Sequence, residues 1–407
     1  RPYQKQTVDA CKTYTRGIVQ AATGAGKTFM VTELIGELKT APFIFLVPSI
    51  DLLEQTHDTL SSCLNAPIGL IGDGNSDIQD ISVMTMQTAI QSLHSQDKKF
   101  DPEAYKYDED DEWGNALEPS KAEMVKKYIK EANGLYFDEA HHAATKTCEE
   151  IMRAAKKAYW RFGGSATPYR EDGADLMIQA LFGRKLVNIT PSYLIDRGFL
   201  VRPNIFNVKM DGHFGDFFTY GKIYKHWIVE NDPLNKLVAT TMKYLENAGV
   251  STLTLVQRYE HGERLQALLP GVPFIRGDMK RKDRKKVILD LKEGRIKSCI
   301  ATTLADEGLD VKRLGAVLIP GGGKSITRVY QRVGRVLRPF EEDGVKKNHA
   351  VAVLFQHDAK FLKDHGNKVR RLMEDEPAFI TKNCKPYELL NEISGIVSPQ
   401  ETLFGDL

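Results

Sequence analysis

Short apolar runs rich in branched residues alternate with helix-length amphipathic stretches along most of the chain, and this alternation limits the fold more than any other feature. In the first half the runs occupy 17–21, 43–47, 81–86, 134–137, 160–164 and 185–189; in the second, 252–256, 273–276, 298–302, 316–320 and 349–354. A strand that passes through a helix before the next strand returns in the same direction. Such a chain builds parallel sheets covered by helices on both faces. At 407 residues it exceeds one ordinary core, and two α/β domains in tandem, of about 200 residues each, accommodate it. The pattern breaks in 189–203, around Pro191 and Gly198, which predicts one domain over 1–195, a second over 196–395 and a tail over 396–407. The halves share architecture without evident sequence identity.

Two stretches interrupt the alternation. Residues 92–120 lack periodicity and carry the acidic run 108–112, while 210–231 mix Gly, Phe, Tyr, His and Trp. Irregular segments of this length are functional loops or disordered ones. The net charge of +2 excludes nothing, because nucleic-acid binding depends on where basic residues cluster rather than on their total. No run of about 18 apolar residues is present, which argues against a membrane span. Cys11, Cys63, Cys148, Cys299 and Cys384 are scattered and none forms a Cys-x-x-Cys pair. Neither zinc nor a disulfide framework is indicated, and a reducing, cytoplasmic setting fits. The opening Arg1-Pro2-Tyr3 is neither an initiator Met nor a secretion signal, which leaves room for sequence upstream.

Residues 21–28 read AATGAGKT, between the run 17–21 and a helix whose apolar face is Met30, Val31, Leu34, Ile35 and Leu38. Backbone N–H groups turn toward an anion at a helix start only through a tight turn, which Gly24 and Gly26 permit because they lack a Cβ. Thr23, Gly24, Ala25 and Gly26 would then wrap a triphosphate. Lys27 would reach the β- and γ-phosphates, and the Thr28 hydroxyl would ligate Mg²⁺. Ala21 stands where the commonest form of this loop has its first glycine. The pattern predicts an ATP and Mg²⁺ site; a glycine turn that binds nothing is the alternative.

Residues 134–142 read GLYFDEAHH, an apolar strand ending in two acids. The carboxyl ends of parallel strands are where α/β sheets bind ligands. There Asp138 would hold Mg²⁺ through its water shell, and Glu139 would orient and deprotonate an attacking water. Two carboxylates at the next helix's N-terminus would be the structural alternative. A phosphate loop about 110 residues earlier tells against it. His142 reads as a locally hydrogen-bonded side chain.

Residues 331–338 read QRVGRVLR. On a helix Gln331, Arg335 and Arg338 share one face at i, i+4 and i+7, with Val333, Val336 and Leu337 turned to a core. Two guanidiniums and an amide suit the charge on a transferring phosphoryl group and its nucleophilic water. A solvated basic face is the alternative. Lying in the second half, these residues would meet a nucleotide on the first only on closure, which couples shape to ATP state.

Together the motifs resemble superfamily 2 helicases over nearly the whole chain. The resemblance implies two RecA-like domains and assigns further residues. Gln4 would read adenine. FLVPSIDLLEQT at 45–56 and Met86-Gln87-Thr88 are similar to motifs on the DNA backbone. DEAH at 138–141 gives His141 a coupling role, shared with Ser165 and Thr167 of GSATP at 164–168. IATTLADEGLD at 300–310 would place Gly308 and Asp310 near the nucleotide, and QRVGRVLRP at 331–339 is the arginine motif. The arginine motif and Asp-Glu-Ala-His-His look most like the XPB-, RecG- and UvsW-like group, with type I restriction motors close by. DNA is therefore the implied partner, and a phage branch-migration or fork-remodelling helicase is one candidate.

In that family one strand crosses both domains, here on Pro48, Ser49, Thr85, Gln87, Arg276, Gly277, Thr302 and Thr303. Hydroxyls and amides hold phosphates without reading bases, so binding is expected to be sequence-independent and salt-sensitive. The basic run 280–286 beside that path reads equally as a solvated face or a DNA contact. Phe214, Phe217, Phe218, Tyr220, Tyr224 and Trp227 offer stacking surfaces, though core packing is favoured. The expected activity is ATP-driven movement on DNA, most often 3′→5′ in this family, with remodelling of branched or duplex DNA. The alternatives are the motor of a restriction complex and an ATP-gated clamp or annealing factor that separates no strands.

Overall fold

The computed structural model describes residues 1–105, 113–140, 146–166, 175–210, 212, 215, 217–302, 311–321, 325–342 and 344–397. The acidic run 108–112 and the end of the expected tail, 398–407, lie outside the described residues. The chain forms two compact units, Arg1–Thr190 and Pro191–Leu407.

In the first unit the strands are β1 (Arg16–Ala21), β2 (Phe43–Val47), β3 (Ile68–Gly72), β4 (Asn75–Ser76), β5 (Ile81–Thr85), β6 (Gly134–Phe137), β7 (Trp160–Ser165) and β8 (Lys185–Ile189). They form one sheet in the order β4-β3-β5-β2-β6-β7-β1-β8, parallel except for the β3–β4 ribbon. The helices are α1 (Pro2–Tyr14), α2 (Lys27–Leu38), α3 (Ile50–Cys63), α4 (Met86–Leu93), α5 (Pro119–Glu131), α6 (Lys146–Ala154) and α7 (Asp175–Phe182). β2 and β6, reading FIFLV and GLYF, are buried at every position, as central parallel strands covered on both faces must be. A Cβ on Gly164 would fall 1.7 Å from the Tyr136 hydroxyl, so β6 and β7 close on each other only because a glycine stands there.

The second unit holds β9 (Pro203–Met210), β10 (Thr252–Val256), β11 (Phe274–Ile275), β12 (Ser298–Thr302), β13 (Ala316–Ile319), β16 (Ala350–His357) and β17 (Ile380–Cys384). All pair in parallel in the order β11-β12-β10-β13-β16-β9-β17, and β14 (Glu341–Glu342) with β15 (Val345–Lys346) makes a separate hairpin. Its helices are α8 (Pro191–Ile195), α9 (Tyr220–Tyr224), α10 (Asp232–Asn247), α11 (Tyr259–Leu268), α12 (Arg281–Lys292), α13 (Ile326–Val336), α14 (Leu362–Glu374) and α15 (Leu389–Ser394). Both units are RecA-like: mostly parallel sheets flanked by helices.

Several features differ from the sequence expectation. The division falls at 190/191 rather than 195/196, because α8 belongs to the second core. There the Ser192 hydroxyl donates to the Glu376 carboxylate (2.8 Å) and accepts from the Ala378 N–H (3.1 Å), and Leu194 is fully buried. The chain up to Val397 also packs in that core, so no tail begins at 396. Strands β3, β9 and β17 were not foreseen. The stretch 210–231 is largely built into the fold: α9 runs into a π-helical turn, Lys225–Val229, and Tyr224 and Trp227 join the core. Phe217 stacks on His226 at 4.3 Å, whereas Phe218 projects outward, 88% exposed. The stretch 92–120 is partly ordered too, with His94 stacked on Phe100 and hydrogen-bonded to Glu150 at 2.6 Å.

Candidate functional site

Strand β1 delivers the chain into the glycine loop, and α2 begins at Lys27 with no side-chain cap on its first turn. An uncapped first turn leaves its N–H groups for an anion. Gly24 and Gly26 take left-handed φ of 85° and 84°. At Gly26 a Cβ would also meet Gln4 Nε2 at 2.6 Å, the far end of a side chain that can give way, so conformation more than space demands glycine. The Ala25 carbonyl accepts from the Tyr3 hydroxyl (2.8 Å) and Gln4 Nε2 (3.1 Å), which moors α1 to the loop. Lys27 Nζ donates to the Ala21 carbonyl at a long 3.3 Å, a weak hold that a phosphate would outcompete. The Thr28 carbonyl accepts from Thr32, and its hydroxyl forms no hydrogen bond among the described residues. The loop thus fits a triphosphate, with Lys27 and Thr28 able to turn to it.

Because β6, β7 and β1 are neighbours and parallel, their carboxyl ends bring Asp138, Ser165 and the glycine loop to one sheet edge. Asp138 is 8% exposed, and its N–H donates to the Leu46 carbonyl at 2.8 Å, tying the end of β6 to β2. Asp138 Oδ1 in turn accepts the Glu139 N–H at 3.0 Å. Glu139 sits at φ 48°, a left-handed conformation that costs a non-glycine residue about 1 kcal/mol. Burial, with the Asp138 and Glu139 carboxylates nearby, raises the Tyr136 phenol well above its ordinary value, so it stays neutral behind them. Ser165 is fully buried at the end of β7. His141, His142 and Thr167 lie outside the described residues.

Strands β2 and β5 pair in register, Val47 opposite Thr85, so Pro48 and Ser49 lie beside Thr85 and Gln87 at the same edge. Their polar groups are largely committed. Ser49 caps α3 by accepting from the Leu52 N–H, and Gln87 Nε2 donates to the Pro48 carbonyl at 2.7 Å. Thr85 is 2% exposed; its hydroxyl accepts from the Thr88 N–H and donates to Thr88 Oγ1. The Thr85 hydroxyl is thus a buried helix cap that shapes the N-terminus of α4.

In the second unit Arg276 pairs with Asp278 at 3.2 Å and Glu263 at 3.5 Å. Gly277 follows at the same turn. Thr302 ends β12 with a buried hydroxyl that has no partner among the described residues, whereas Thr303, Gly308, Asp310 and Phe214 lie outside them. Along the basic run, α12 turns Arg284 inward, 7% exposed, and leaves Lys282, Lys285 and Lys286 at the surface.

The arginine motif lies on α13, capped by Ser325 and anchored by buried Val329, Val333 and Val336. Gln331 and Arg335 share its outer face. Arg338 does not: the helix ends at Val336, so the expected i+7 position is lost. Pro339 explains the stop, since the residue before proline disfavours the α conformation. Arg338 nevertheless sits among cations; burial lowers its guanidinium and, together with its charge, lowers the Lys292 and Lys347 ammoniums. Arg332, unremarked in the sequence, is 3% exposed and serves the interior.

Residues 1–170 match the family described as "Type III restriction enzyme, res subunit", and 234–339 match "Helicase conserved C-terminal domain". A protein of Sulfolobus islandicus filamentous virus, named a helicase, is 25% identical over 90% of this chain and 65% of its own length. "DNA 3'-5' translocase XPB2" of Sulfurisphaera tokodaii is 24% identical over 85% of this chain and 80% of its own. The chain therefore spans about two thirds of the viral relative. An HsdR fragment of a Vibrio vulnificus type I restriction enzyme superposes with a TM-score of 0.66 at 16% identity, over 94% of this chain and 67% of that one; this likeness concerns the fold alone. No helix among the described residues is long and apolar enough to cross a membrane. With both matched segments in order on two RecA-like domains, the chain belongs with the superfamily 2 helicases and translocases and is related to the XPB-type motors.

Proposed function

We propose that the chain hydrolyses ATP to move along DNA without regard to sequence and to remodel branched or duplex DNA. The observation that carries this is the single sheet edge on which the left-handed glycine loop, Asp138 and Ser165 converge. In this reading Thr23, Gly24, Ala25 and Gly26 enclose the phosphates through their N–H groups, Lys27 neutralises the β- and γ-phosphates, and Gln4 reads the base. Thr28 and Asp138 hold Mg²⁺, which when bound offsets the charge between those phosphates. Glu139 takes the proton from the attacking water. Gln331, Arg335 and Arg338 meet the developing charge and its water, Gly308 and Asp310 sit near the nucleotide, and His141, Ser165 and Thr167 link turnover to movement.

One DNA strand lies on Pro48, Ser49, Gln87, Arg276, Gly277, Thr302 and Thr303, with Thr85 acting through the N-terminus of α4 that it caps. DNA is favoured over RNA, and 3′→5′ over 5′→3′, by the relative named a DNA 3'-5' translocase. A restriction motor is the second reading, favoured by the match of residues 1–170.

ATP turnover measured with single strands, duplex, forks, four-way junctions and RNA, alongside displacement of a labelled strand, tests the proposal. Forked or branched DNA is expected to stimulate most and to lose its labelled strand. Stimulation by RNA alone would refute the substrate, and DNA-stimulated turnover with neither displacement nor movement would point to a clamp.

A further inference from the structure

We propose that Lys347 is a positioning residue that locks the segment following Asp310 to the end of the arginine helix, so that the two respond to nucleotide as one piece. This rests on Arg335 meeting the phosphoryl charge. Lys347 Nζ donates to three backbone carbonyls: Val336 at 2.8 Å, Leu314 at 2.8 Å and Lys312 at 3.4 Å. An ammonium has three N–H donors, and all three are used. Val336 is the last residue of α13, where carbonyls lack helical partners and the negative end of the helix dipole favours a cation. Lys312 and Leu314 come just past Asp310 and lead into β13. One side chain therefore ties the way out of the 300–310 motif to the way out of the arginine motif.

The anchor is itself fixed. The Lys347 N–H donates to the Phe340 carbonyl at 2.8 Å, holding the β14–β15 hairpin to the chain that leaves α13. A second tie, the Val201 N–H to the Leu337 carbonyl at 2.8 Å, holds the same helix end from another side. Burial, and after it the Arg338 guanidinium, pull the Lys347 ammonium down to about 7, which is the cost of placing a cation at this helix end. Lys346 beside it is exposed and faces Glu341 at 3.9 Å, an ordinary surface pair.

The test uses the full chain as wild type, K347M, K347R, K346M and R335A. ATP turnover with single-stranded DNA is read against ATP concentration, and amide hydrogen exchange is read without nucleotide. K347M, which keeps the apolar stem, is expected to lower kcat about tenfold with KM for ATP within about twofold. K347R should recover most of the loss, K346M should match wild type, and K347M should speed exchange in 311–314 and 335–338 together. Wild-type kcat in K347M while R335A abolishes turnover would overturn the lock. So would faster exchange in one segment alone, or a loss in K347M that K347R does not relieve. If R335A itself turns over normally, the fault lies with the reading of Arg335, and the exchange result still decides the lock.

Discussion

In the first unit the glycine loop and Asp138, assigned to the nucleotide, stand at the ends of parallel strands, with Asp138 fastened to β2 through the Leu46 carbonyl. In the second, Gln331 and Arg335 stand on one amphipathic helix, held in the sheet's lee by three valines and at its C-terminal end by two hydrogen-bonded ties. A strand end is fixed by neighbours on both sides and cannot shift without breaking a ladder. A helix end held by a few contacts can shift as one body. The contrast suits a machine in which one side binds fuel steadily and the other responds to it.

The sharpest way to break this comparison is to remove the fixed side. K27A is expected to abolish phosphate release, by about a thousandfold or more, and E139Q to bind ATP normally while slowing turnover about a hundredfold or more. Wild-type release by either would end the assignment. On the responsive side R335A should lower kcat by about a thousandfold with nucleotide affinity little changed. Loss of DNA affinity alone, measured by anisotropy, would move Arg335 out of the chemistry.

A smaller test concerns how tightly the fixed side is packed. The Tyr136 hydroxyl is buried without a partner among the described residues. Y136F should therefore raise the stability of the first unit by about 1 kcal/mol in denaturant titration; a loss of that size would mean the hydroxyl is satisfied after all. The smallest effect is expected at the surface of α12. Replacing Lys285 and Lys286 together with alanine should lower the slope of log affinity against log salt by about 1 to 2 if the run touches DNA. An unchanged slope leaves it a solvated face.

Much of the first unit was legible because its candidate site residues close apolar runs: GLYF ahead of Asp138, and 17–21 ahead of the glycine loop. The hidden strands were hidden for physical reasons. β17 reads ITKNC at a sheet edge with most side chains outward, so no alternation marks it. β9 opens on Pro203 and carries Asn207 and Lys209, polar residues that break its apolar run although it lies inside the sheet. The early end of α13 was readable from Pro339. The Thr85 cap hides in plain sight, since a threonine before a helix serves the backbone as readily as a ligand. Lys347 could not be singled out, because its three acceptors are backbone carbonyls and leave no trace in residue identity.

Glu139 occupies a backbone conformation in which glycine would be at ease. Substituting glycine there would discard the carboxylate and the strain together, and the resulting inert protein should survive heating at least as well as the working one. Selection for durability alone would drive this position away from glutamate. On the role proposed for Glu139, its presence marks where the molecule gives up endurance to stay reactive.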